Sequence, residues 1–142
     1  MSTFGLAAAR VIVAAALDTA HAEDLKPMAV IVLDAGGHLI AAEREDGASN
    51  KRFEIAHAKA YGAISLGMGS RALMSRAEQQ AYFISGAASA IGGALVAVPG
   101  GVLVLDDGAV VGVVGASGDT SDNDEKVVIA GIAAAGLTAQ PD

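Results

Sequence analysis

Lys59 stands where a charge is not expected. If residues 51–66 are helical, Ile55, Lys59, Gly62 and Leu66 share one stripe, which sets the amine among apolar neighbours. Such a lysine pairs with a carboxylate, presents its ammonium to an anionic ligand, or, if strongly desolvated, serves as a base or Schiff-base nucleophile. Arg44 and Asp46 follow a candidate strand, where a rigid scaffold commonly carries site residues. The arginine fork can hold a planar carboxylate through two parallel hydrogen bonds with Asp46 orienting it; the plainer alternative is a surface ion pair with Glu43, Glu45 or Asp46. His38 follows the Gly36-Gly37 turn, and His57 lies on the Lys59 helix but on another stripe, with Glu54 and Tyr61. Either histidine could move a proton, although a lone histidine is more often a turn or solvent-facing side chain. The three histidines, at 21, 38 and 57, lack HExxH-like spacing, so no structural metal site is expected. Ser117 sits in Gly115-Ala116-Ser117-Gly118, between a strand and a helix, where free backbone N–H groups could receive an anion. Asp119, Asp122, Asp124 and Glu125 crowd that helix start, and neither a P-loop lysine nor a Gly-x-Ser-x-Gly elbow is present. Ser117 therefore reads as a pocket-lining donor, and Arg44, Asp46, Lys59 and Ser117 as the candidate ligand-binding set.

Composition narrows what these residues could serve. With 142 residues, 53% of them hydrophobic and 18% charged, the chain has material for one domain with a core. It contains no cysteine, which removes disulfides, thiolate metal sites, iron–sulfur clusters and a cysteine nucleophile. A formal charge of −7, with nine unclustered Lys and Arg residues, argues against a nucleic-acid surface, which needs a basic stripe. Small molecules and protein partners remain. Residues 3–22 imitate a secretory signal, because apolar residues lead into Ala20-His21-Ala22. Arg10 interrupts that run, however, and Leu6, Ala9, Val13, Ala16, Leu17 and Ala20 fall on one helical face, so an amphipathic helix and a cytoplasmic location are expected. No apolar run approaches the ~20 residues of a membrane span.

The elements that must position the site follow from periodicity and turns. The runs 28–33 and 37–42 meet across Asp34-Ala35-Gly36-Gly37, and 101–105 and 109–114 across Asp106-Asp107-Gly108. Connections this short make both pairs antiparallel hairpins, and a fifth strand is expected near 94–98. Helices are expected over 50–66, 70–80 and 82–91, and a last one has capping-type pairs Ser121/Asp124 and Asp122/Glu125, an apolar stripe at Val128, Gly131, Ile132 and Ala135, and a stop at Gly136. Strands 28–33 and 109–114 are apolar at successive positions, so both sheet faces must be covered, by helices or by another subunit; a homo-oligomer is expected.

Several stretches taken together resemble the GlcG/HbpS-like family of small haem-binding or haem-degrading proteins, which includes the C-terminal domain of the PduO corrinoid adenosyltransferases. They are 32–39, Arg44-Glu-Asp46-Gly-Ala48, Ala58-Lys59-Ala60, Pro99-Gly-Gly101, Asp107-Gly108, 111–118 and Asp124-Glu125, in an order and spacing that span most of the chain. The resemblance implies an α+β, profilin-like domain: a central antiparallel sheet of about five strands with helices packed on it, assembled into dimers or larger oligomers. It implies haem as a candidate ligand; His38 or His57 could ligate its iron, but the resemblance names no axial ligand. The expected function is small-ligand binding; the alternative is an isomerase or lyase, free of organic cofactor, that acts on a small carboxylate- or carbonyl-bearing metabolite by acid/base chemistry.

Overall fold

A computed structural model describes residues 4–142. The chain runs α1 (Leu6–Ala22), β1 (Ala29–Asp34), β2 (Leu39–Arg44), α2 (Arg52–Leu66), α3 (Ser70–Gln79), α4 (Ala81–Ala90), β3 (Gly101–Asp106), β4 (Ala109–Ser117), α5 (Ser121–Ala134) and β5 (Thr138–Gln140). Five antiparallel strands form one sheet in the order β2-β1-β4-β3-β5. The fold is therefore α+β, and both expected hairpins are present.

Alternation along the central strands divides the core into two layers. Val30, Val32, Val102, Val104, Val114 and Ala116 face α1 and α5, joining Ile12, Val13, Ala16, Val128 and Ile132. Ala29, Ile31, Leu33, Leu103 and Val113 face the other way, onto Ala56, Ala60 and Ala63 of α2. The continuous apolar reading of β1 is thus satisfied within one chain, by helices on both faces. The N-terminal segment that imitates a signal peptide forms α1, and all of its expected stripe except Leu6 is buried. No helix among the described residues is long and apolar enough to cross a membrane.

Glycine sets how closely these layers approach. A Cβ on Gly131 would lie 2.6 Å from the Ile12 carbonyl oxygen, and one on Gly115 only 2.2 Å from that of Ala56. Helix α1 on α5, and α2 on β4, therefore meet at backbone contact.

Three local expectations are corrected. Residues 94–98 form no strand: Leu95 packs on Gly62 and the Val96 N–H reaches the Ala58 carbonyl, so this apolar run lies along α2 with no sheet edge to pair with. The fifth strand is β5, which takes the free edge of β3 through Leu103–Leu105. The cap of α5 is Thr120, whose hydroxyl accepts from the Asn123 N–H at 3.2 Å, while Asp124 and Glu125 turn to cations on other elements.

Candidate functional site

Helix α2 carries Lys59 into the body of the protein. Its side chain is 2% exposed, and Nζ donates to Asp124 Oδ2 and to the Ala116 carbonyl, both at 3.0 Å. The buried face of α2 is made of Ala56, Ala60, Gly62 and Ala63, not of Ile55 and Leu66, so the lysine stem passes between small residues to the end of β4. Gly100, at φ +127°, stands against it; a Cβ there would lie 2.8 Å from Nζ. Burial pushes the Lys59 amine down from its usual range against the opposing pull of Asp124, and burial pushes Asp124 up against the pull of Lys59. Asp124 Oδ1 also accepts the Asp119 N–H at 2.9 Å. The pair ties α2 to the start of α5, with both side chains only 2% exposed.

Arg44 ends β2 and is exposed, donating from Nη1 to the Ala48 carbonyl at 3.2 Å. It lines an open hollow of about 510 Å³ with Asp46, Glu43, Glu45, Leu17 and His21. That hollow belongs to the α1 side of the sheet, whereas Lys59 lies on the α2 side. Arg44 and Lys59 share no partner: Arg44 is exposed on the edge strand β2 and donates to Ala48, whereas Lys59 is buried against Asp124 and the end of β4. Glu45 accepts the Met28 N–H at 3.0 Å and also contacts His21.

Ser117, 1% exposed at the end of β4, accepts from Arg52 Nη1 at 3.1 Å. Arg52 Nε donates to Ser49 Oγ at 2.9 Å. Sequence reasoning missed Arg52, because Lys51-Arg52 at a helix start reads as a solvated charge; its partner Ser117 is 65 residues away. A cavity of about 190 Å³ opens beside it.

His38 lies on the β1–β2 turn. Asp34 Oδ1 accepts the backbone N–H groups of Gly36 and His38, each at 2.9 Å, and lies 3.1 Å from His38 Nδ1. The His38 backbone N–H, assisted by that of Gly36 and by the imidazole, holds the Asp34 carboxyl below the usual range. A carboxylate on Nδ1 places the ring proton there and leaves the Nε2 lone pair for a ligand, the arrangement typical of metal-binding histidines. His38, whose side chain is 80% exposed, lines with Asp34, Ala35 and Gly36 an open hollow of about 520 Å³ whose apolar wall is Phe4, Val110 and Val111. His57 differs: half-buried on the outer side of α2, it stacks between Phe53 (ring centroids 6.3 Å apart) and Tyr61 (5.5 Å).

A five-stranded antiparallel sheet with helices on both faces defines the α+β class of protein. The profile described as "Haem degrading protein HbpS-like" matches residues 4–133, and the chain belongs to that HbpS-like family. Among solved structures, a PduOC protein in complex with haem is similar at 24% identity and TM-score 0.85, over 96% of this chain and 97% of that chain. A double mutant of HbpS from Streptomyces reticuli is similar at 27% identity and TM-score 0.81, over 94% and 87%. The ORFY protein of Klebsiella pneumoniae is similar at 24% identity and TM-score 0.82, over 96% and 92%. No curated protein sequence matches the chain.

Proposed function

We propose that this protein binds haem, with His38 as the axial ligand, in the cavity between the β1–β2 turn and the start of β4. The observation that carries the reading is the Asp34–His38 pair set against an apolar wall. The residues fit the group in two respects. The carboxylate on Nδ1 orients the ring and leaves Nε2 for iron, and Phe4, Val110 and Val111 offer a surface for a flat macrocycle. No lysine or arginine lines this cavity, so the propionates would face solvent. Haem, when bound, supplies an iron centre whose electronics the Asp34–His38 hydrogen bond tunes. Membership of a family described as haem-degrading, and the haem complex of the similar PduOC protein, support the reading.

Haem titration followed in the Soret region tests it. Uptake should saturate at a fixed ratio per subunit, and His38→Ala should move the Soret band. Asp34→Asn should weaken affinity by about 10–100-fold, as loss of a partner to a metal-bound histidine does. Linear uptake without saturation, or a His38→Ala spectrum identical to wild type, overturns the assignment.

We also propose a homo-oligomer. Helix α4 buries only Ala87, and it leaves Tyr82 75% exposed among apolar neighbours. A second copy that covers α4 would remove this surface from water.

A further inference from the structure

Arg52 and Lys26 converge on the cavity of about 190 Å³ between the start of α2 and the loop leaving β4, lined also by Pro27, Gly47, Ser49 and Gly118. The lining contains two cations and no carboxylate, in a chain whose net charge is −7. Four other cations carry an acid partner: Lys51 with Glu54, Lys59 with Asp124, Arg71 with Asp122 and Glu125, and Lys126 with Glu23. The Arg52 guanidinium is instead held by two neutral hydroxyls, Ser49 Oγ and the buried Ser117 Oγ. Those bonds use two of the five N–H donors, fix the plane of the fork, and leave donors for a further acceptor. The Lys26 side chain makes no ion pair within 4 Å among the described residues, although its charge acts on Asp119, and its backbone N–H is tied to Asp119 Oδ2 at 2.9 Å, which fixes the chain beside the cavity.

We propose that this cavity binds a small carboxylate, gripped by the Arg52 fork and neutralised by Lys26. Its small volume, about 190 Å³, suits an acid of a few carbons. Charge favours a monoanion over phosphate. Asp119, whose carboxyl is held down to about 2 chiefly by Asn123 and by the Lys26 N–H, stays ionised beside the cavity and would repel a dianion. Gly118 is held beside the cavity by close packing: a Cβ there would lie 2.3 Å from Met28 Cβ and 2.5 Å from the Pro27 carbonyl oxygen. This site shares no lining residue with the His38 cavity, so it stands independently of the haem reading.

Amide and arginine side-chain NMR with propionate as the probe tests the proposal. Saturable shifts are expected at Gly47, Ser49, Gly118 and the Arg52 Nε–H. Arg52→Lys, which keeps the charge but not the fork, should weaken binding at least about tenfold, and Lys26→Gln should weaken it less. A thermal melt of each variant establishes that it is folded, and Lys26→Gln, on the cavity rim, serves should Arg52→Lys fail to fold. Absence of saturable shifts, unchanged affinity in folded variants, or inorganic phosphate binding as tightly as propionate at the same residues would overturn it. Haem titration of the same variants is expected to be unchanged, so failure here is distinguishable from failure of the haem assignment.

Discussion

Replacing Lys59 by methionine isolates the buried ion pair. The substitution keeps most of the apolar stem, deletes the charge, and falls one atom short of Nζ. Three consequences follow from the geometry. Asp124 keeps only backbone donors, including Asp119 N–H, in a site where it is about 1% exposed. The Ala116 carbonyl loses its 3.0 Å donor, and a void about the size of a methyl group opens against Gly100. Removal of one partner from a buried pair costs about 3–5 kcal/mol, chiefly because the remaining charge is stranded. For a chain of this size, that is a fall of roughly 10–20 °C in Tm. The double variant Lys59→Met/Asp124→Asn should recover most of the loss, because asparagine can still accept the Asp119 N–H and carries no charge to strand. Denaturant unfolding of wild type, both single variants and the double variant gives the coupling energy, expected to exceed about 2 kcal/mol. A Lys59→Met loss below about 1 kcal/mol, or strict additivity in the cycle, would refute the reasoning.

Glycine substitutions should separate contact from conformational freedom. Gly115→Ala drives a Cβ into the Ala56 carbonyl and should cost at least about 1–3 kcal/mol, whereas Gly86→Ala, in open space on α4, should stabilise by about 0.5–1 kcal/mol; thermal melts of the two decide it. Asp119 has a folded pKa of about 2 against an ordinary 3.8, so its contribution is fully present above 3.8 and disappears as pH falls through about 2. Asp119→Asn should therefore flatten the stability profile in that acid window, which unfolding curves at stepped pH would show. Light scattering should give a mass above the 14.0 kDa monomer, and Tyr82→Asp on α4 should lower it; a monomeric wild type would defeat the oligomer proposal.

The hairpins were legible because their turns announce themselves. Asp34-Ala35-Gly36-Gly37 puts φ +83° at Gly37, and Asp106-Asp107-Gly108 puts φ +83° at Gly108, so sequence and backbone conformation agree. Strand β5 was not legible, since Thr138–Gln140 has three residues and no apolar pattern; only the vacant edge of β3 makes it a strand. The run 94–98 carried the opposite signal, with strand-like composition and no edge to join. Lys59 was conspicuous by its stripe, but its partner Asp124 is 65 residues away and looked like one of several helix-start acids. The Asp34–His38 pair could have been found: an aspartate four residues before a histidine, across two glycines, is a local Asx-type turn that brings the carboxylate to the ring.

Helix α2 lies so close to the sheet that, apart from the Lys59 stem, its buried face is alanine methyls and Gly62, with backbone approached from Ala56 on Gly115 to Lys59 on Gly100 and Gly101. Apart from Lys59, the buried face of α2 carries no side chain longer than a methyl to shorten, so substitution on the helix does little to hollow out this layer. New ligands can therefore be accommodated only at the perimeter, in the β1–β2 turn, the segment leading into α2, the loop after β4 and the α3–α4 arm. Drift in specificity among proteins built this way should be written in those four segments, while the small residues beneath α2 stay fixed whatever is bound.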